Sequence, residues 1–252
     1  MSVTGIALIL FLTFHACMNV VALFSEEAYN AICEFLGANW YAVAGTAALA
    51  ALVALHFVFA LILTWQNRKA RGTSRYAVST KVNAGKVEWA AKNMFVLGLI
   101  ICLGMLLHLY NFWYHMMFAE LAGGDAELAA DGFYFIEKTF SCPVYAGLYI
   151  VWLVALWFHL SHGMWSALQT LGASGKTWFK RVKAIGITWS TVVVLMFVAV
   201  VLAFALKLAP SQCKAECCKA KVECVDQAGC EKAAGCEKAV ECLEPGAECC
   251  EK

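Results

Sequence analysis

Charged residues in this chain are confined to short stretches between long apolar runs. Five windows, residues 1–25, 35–67, 93–119, 139–175 and 184–206, contain no Asp, Glu, Lys or Arg. Each exceeds the roughly 20 residues with which a helix crosses the hydrocarbon core of a bilayer. The pattern predicts an all-α, polytopic membrane protein. Its five transmembrane helices are expected over about 3–24, 42–65, 93–118, 144–169 and 184–206 within a membrane domain of residues 1–209. The first run has no Lys or Arg ahead of it and is longer than the apolar core of a signal peptide. That argues against cleavage and fits Met1 being an internal methionine of a longer reading frame.

Composition agrees with this reading. The chain has 252 residues, 62% hydrophobic and 15% charged, against about 25% charged in soluble domains. The net charge of +1 says nothing about partners, and no nucleic-acid partner is expected; the distribution of charge is what informs. Arg68, Lys69, Arg71, Arg75, Lys81, Lys86 and Lys92 lie between the second and third runs, against Glu88 alone. Lys176, Lys180, Arg181 and Lys183 lie between the fourth and fifth. The other two loops are acidic: Glu26, Glu27 and Glu34 in one, and five acids with only Lys138 in the other. Basic loops mark the cytoplasmic side. A multi-pass protein of the bacterial cytoplasmic membrane is expected, with the N-terminus inside and residues 210–252 outside.

An imidazole in hydrocarbon is costly and is a functional-site candidate by default. All six histidines lie inside or against the apolar runs, and His15, His56, His108 and His162 fall one each on four successive runs. One such histidine is accounted for by a hydrogen bond to a neighbouring helix. Four that sort by depth into two pairs are not: His15 with His108 nearer the outer side, His56 with His162 nearer the inner. Counting from the run ends at about 1.5 Å per residue separates the two levels by about 8–10 Å. Two imidazoles on facing helices are what a six-coordinate haem requires, so two haems are expected. His159, three residues before His162, is the rival ligand on the fourth run, and His115 is read as structural or close to a quinone. No CxxCH occurs, which leaves b-type haem. Cys17, Cys33, Cys102 and Cys142 lack metal-ligand spacing and read as small packing residues.

The segments GIALILFLTFH, ALHFVFALILTWQNRKAR, LHLYNFWYHMM and FHLSHGMWSALQTLG resemble the diheme cytochrome b membrane anchor of succinate dehydrogenase and fumarate reductase, in its single-subunit, five-helix form and its Bacteroidetes branch. The likeness covers about residues 1–208. It implies an electron-transfer subunit between menaquinone and an iron–sulfur subunit, which sits with a flavoprotein subunit on the cytoplasmic face. It also implies a dimer of heterotrimers in the lipid bilayer. On this resemblance His15 and His108 hold the distal haem, His56 and His162 the proximal one. A quinone-side proton acceptor falls on Glu34, with Glu26 and Glu27 as alternatives. Arg68, Lys69 and Lys176 lie on the side suited to the inner haem's propionates. The subunit alone would not carry out dicarboxylate chemistry. Alternative readings are the cytochrome b subunit of a hydrogenase or formate dehydrogenase, and a metal-handling membrane transporter.

Residues 210–252 form a low-complexity tail with nine cysteines, five of which, Cys218 to Cys242, recur every six residues. Disorder, disulfide linkage and soft-metal loading all suit that composition. Some fumarate reductases of the family place a glutamate two residues before the helix IV ligand, on a transmembrane proton route. Leu160 stands there in this chain, and the third, fourth and fifth runs contain no carboxylate. No such route is therefore expected through this bundle. Proteoliposomes carrying out menaquinol-driven fumarate reduction should show no compensating proton flow across the membrane, and observing that flow overturns the expectation.

Overall fold

A computed structural model describes residues 1–71, 89–173 and 175–208. The Cys-rich tail and the basic positions Arg75, Lys81 and Lys86 lie outside the described residues, as do the side chains of Arg71 and Lys176. The described residues are helical, without a strand: α1 (Ser2–Val20), α2 (Glu26–Phe35), α3 (Trp40–Arg71), α4 (Trp89–His108), α5 (Ala119–Leu121), α6 (Ala126–Ala130), α7 (Gly132–Phe140), α8 (Pro143–Thr170) and α9 (Lys176–Ala205). A π-helix, Leu109–Phe118, joins α4 to α5.

Five stretches are long and apolar enough to cross a membrane: Ser2–Leu23, Trp40–Ala70, Trp89–Leu121, Pro143–Thr170 and Thr177–Ala205. Three of them overrun the expected bounds at the basic end, where α3 continues to Arg71, α4 begins at Trp89 and α9 at Lys176. The charge-free windows measure hydrocarbon, not helix. Lys and Arg are good helix formers whose long stems lie along apolar surface while the charge stays in water. Arg68 over Phe95, Lys69 over Trp65, Arg181 over Trp178 and Lys183 over Trp165 lie 5.4–5.7 Å from the ring centroids.

Polar groups fix the element ends. Ser25 caps α2 by accepting the Ala28 N–H at 3.1 Å, and Asp131 caps α7 by accepting the Tyr134 N–H at 3.0 Å. Gly172 takes φ 106° just past α8, where the left-handed conformation lets the Ala173 N–H reach the Leu168 carbonyl at 3.0 Å.

The core runs along α8 and α9. Tyr149, Leu153, Leu156 and Leu160 recur at helical spacing on α8 and meet Val194, Val200, Val201 and Phe204 of α9. The short amphipathic α7 adds Phe133, Ile136 and Phe140 at the end that carries the acidic loops. Helices α1 and α4 flank this pair, and α3 packs chiefly on α1. The apolar window of α3 contains no buried residue. The acidic-loop end is tied down over long sequence separations. Asn30 donates to the Asp131 carboxylate and accepts the Phe133 N–H, both at 2.9 Å, while Glu120 accepts the Ala38 N–H at 3.0 Å.

Gly104 of α4 meets the indole of Trp152, so that a Cβ would overlap it. The same indole donates to the Ile101 carbonyl at 3.1 Å. Small residues at helix crossings of this kind let backbones approach. Gly104→Ala should therefore destabilise the bundle by about 1–3 kcal/mol, the usual cost of overpacking, read as a lower thermal midpoint in detergent. An unchanged midpoint refutes the contact.

Candidate functional site

Two pairs of imidazoles meet inside the bundle. The His15 ring of α1 lies 5.8 Å, centroid to centroid, from the His108 ring at the end of α4. The His56 ring of α3 lies 6.5 Å from the His159 ring of α8. A bond of about 2.0–2.1 Å from each imidazole nitrogen to a shared first-row metal, with half a ring on either side, sets the centroids roughly 6 Å apart. Both separations are of that size. Among the described residues no group of three or more His, Cys, Asp or Glu could hold a bare ion. Two imidazoles per site leave the remaining coordination positions to something other than side chains, as in a macrocycle that brings its own four nitrogens.

The two pairs stand at different depths. Thr4 of α1 touches His56, and Gly98 of α4 faces His159. Eleven residues of α1 separate Thr4 from His15, and ten of α4 separate Gly98 from His108. At about 1.5 Å per residue both rails give roughly 15–16 Å between the sites. This is wider than the 8–10 Å obtained by counting from run ends, because the ends are not level: α1 begins beside His56, nine residues short of the end of the second run at Trp65.

Glycines lie beside both rings of the inner pair. Gly5 faces His56, where an added Cβ would stand 3.6 Å from Cε1, and an added Cβ on Gly98 would stand 4.0 Å from Cε1 of His159. Nδ1 of His159 is buried with no hydrogen-bond partner, an atom that a metal would satisfy. The pair nearer the acidic loops is lined by aromatic rings. Phe11 stacks on His15 at 5.5 Å and Phe197 tilts against it at 5.6 Å, while Phe112, Trp152 and Tyr149 surround His108 at 5.0, 5.8 and 6.3 Å.

The remaining histidines are placed differently. His162, which the resemblance pairs with His56, packs edge-on against Trp165 at 4.8 Å, one turn beyond His159 on α8. His115 lies in the π-helix, its Nδ1 2.7 Å from the Tyr110 carbonyl five residues earlier, the reach of that wider turn. Glu34 is exposed in the last turn of α2, with Glu26 and Glu27 in the first turn of the same helix. Arg68 and Lys69 are exposed at the basic end.

The sequence reading missed a chain of polar contacts that ties the acidic-loop cap to His15. Asn19 donates to the His15 carbonyl at 2.8 Å, and the Tyr29 hydroxyl donates to Asn19 Oδ1 at 3.3 Å. An Asn one helical turn after a histidine was the available signal. Cys33 continues the cluster, its Sγ against Gly132, where any Cβ would overlap it. Burial raises the Tyr29 hydroxyl well above its usual range, with Cys33 adding to the rise, and burial pushes the Cys33 thiol up to about 11.

Comparisons of the chain with protein-family models, with curated proteins and with solved structures find no match.

Because the folded thiol of Cys33 titrates higher than its usual value of 9.0, the stabilising contribution of its neutral form is complete below pH 9. That contribution is lost as pH climbs toward 11. The thiolate is the reactive form. Iodoacetamide labelling of Cys33, followed by peptide mass mapping, should be slower at pH 8 than for the same peptide unfolded and should accelerate as pH rises above 9. Equal rates at pH 8 exclude this environment.

Proposed function

We propose that the chain is a diheme membrane anchor and electron-transfer subunit of a succinate:quinone or quinol:fumarate oxidoreductase. The observation that carries the reading is the pair of imidazole contacts on four helices, at 5.8 and 6.5 Å, set roughly 15–16 Å apart in depth by helical rise. Sites spaced in this way divide a hydrocarbon core of about 30 Å into short steps.

In this reading His15 and His108 hold the haem nearer the acidic loops. The 6.5 Å separation supports His159 as a partner of His56, with His162, one turn on, as the alternative that the resemblance implies. The haems supply one-electron chemistry, and the protein sets its potential through ligand identity, hydrogen bonds to the ligands and exclusion of water. The aromatic rings around His15 and His108 give that site an apolar lining. Trp165 Nε1, a buried donor with no partner among the described residues, would suit an acidic edge of the inner group. Glu34 is exposed at the acidic end, where it can take up protons released by menaquinol. The basic end, with Arg68, Lys69, Lys180, Arg181 and Lys183, offers a docking face for the iron–sulfur and flavoprotein subunits. Assembly as a dimer of heterotrimers in the bacterial cytoplasmic membrane belongs to the same proposal.

A reduced-minus-oxidised spectrum of the protein purified from its native membrane tests this reading. The expected result is a b-type band with two haems per chain and a flavin-containing partner. His15→Ala and His108→Ala should each remove one and the same haem. His56→Ala should remove the other, and whichever of His159→Ala and His162→Ala removes that same haem identifies the partner on α8. A colourless protein overturns the proposal, and a pigmented protein whose partner is a hydrogenase or formate dehydrogenase overturns its assignment to succinate and fumarate.

A further inference from the structure

Thr4 lies in the first turn of α1 and is buried, 8% exposed, although the helix around it is apolar. Its hydroxyl donates to the Met1 carbonyl at 2.8 Å. The same oxygen lies 3.2 Å from Nδ1 of His56 on the facing helix. A hydroxyl carries one hydrogen and two acceptor lone pairs. With its hydrogen committed to Met1, Thr4 has only lone pairs to offer His56, so the hydrogen in that contact belongs to Nδ1. The neutral imidazole is then protonated at Nδ1, and the free lone pair is on Nε2.

We propose that Thr4 is a positioning residue for His56: it selects the Nδ1–H tautomer, fixes the plane of the ring, and leaves Nε2 as the nitrogen that binds iron. This rests on the diheme reading given above. Metal-bound histidines ordinarily donate their second ring N–H to an acceptor that sets tautomer and orientation and raises ligand basicity. Gly5, the next residue on α1, leaves the Cε1 edge of the same ring uncovered. The other site has no counterpart. Asn19 is 3.4 Å from both ring nitrogens of His15, too long for a good bond to either, and its amide is already engaged by the His15 carbonyl at 2.8 Å. A hydroxyl that strengthens the imidazole as a donor favours ferric iron, so removing it should raise the potential of the inner haem alone.

The test compares Thr4→Val, which keeps the shape and loses the acceptor, with Thr4→Ser, which keeps the acceptor. Redox titration of the assembled complex, resolved into its two haem components, should show the inner midpoint shifted upward in T4V and restored in T4S, with the outer midpoint unmoved. Loss of the inner haem alone in T4V, with retention in T4S, equally supports the role. If T4V loses both haems, T4A provides the same comparison with a smaller side chain. Two haems with unchanged potentials in the acceptor-less variant overturn the inference and leave the diheme reading standing. If the wild-type protein carries no haem, the diheme reading fails by itself. Nitrogen-15 NMR of labelled His56 then decides whether Thr4 fixes the tautomer. A ring protonated at Nδ1 in wild type that becomes a mixture in T4V supports it, and the same tautomer ratio in both refutes it.

Discussion

His56 on α3 and His159 on α8 bring together two helices that otherwise share little packing. Helices α1, α4, α8 and α9 share a continuous set of packed contacts, whereas α3 rests mainly on α1 and has no buried residue in its apolar window. Lipid gives no hydrophobic reason for α3 to stay beside α8, because acyl chains are as apolar as leucine. What α3 presents toward α8 is the His56 ring, 6.5 Å from that of His159, with Thr4 of α1 behind it. A planar metal complex held between those rings would add two ligand bonds and fill the space the glycines leave. Under the diheme reading, cofactor capture and docking of α3 are one event, since binding free energy of this kind is also folding free energy.

The two sites are built from different materials. Around His15 and His108 the second layer is aromatic, with Phe11, Phe197, Phe112, Trp152 and Tyr149. Its buried amide, Asn111, is satisfied by the Tyr149 hydroxyl at 3.2 Å and makes no bond to a ligand ring. Around His56 and His159 the second layer consists of a hydroxyl and two glycines. One environment offers mainly apolar and π contacts, the other a directed hydrogen bond and room. Bis-imidazole centres in these two settings differ in donor strength and local dielectric, which are the means by which a protein separates two potentials. Under the diheme reading, electron flow between the two levels would take its preferred direction from these side chains.

The five spans were legible because charge is excluded from hydrocarbon, and a charge-free run is a direct readout of that exclusion. Their basic ends were not, since Arg68, Lys69 and Lys180 continue a helix as readily as they end a hydrophobic window. The histidine levels could be ordered from the sequence but not spaced, because each helix-end error entered the depth in full. The choice between His159 and His162 was beyond pattern reading. Residues three apart on a helix share a face, and only the rotation of α8 against α3 distinguishes them. Asn30 with Asp131, more than a hundred positions apart, and the π-helix after His108 left no local trace in composition. Thr4 did leave one, a single hydroxyl beside a glycine in an apolar run, but its meaning depends on the partner across the interface.

The acidic loops illustrate how structure narrows a choice that sequence leaves open. Nine carboxylates stand before the fourth span, and the diheme reading asks for one of them to take protons from a quinol. Asp125 and Asp131 are committed as helix caps, and Glu120 holds the amide of Ala38. Each would surrender a structural bond on taking a proton. Glu26 and Glu27 occupy the first turn of α2, where negative charge completes the helix. Glu34, exposed in the last turn of that helix, has neither duty, and it sits one turn beyond Tyr29 and Asn30, which tie α2 to His15's helix and to α7. A proton acceptor has to change charge without loosening the cap that positions it, and of the acids on α2 Glu34 meets that condition best.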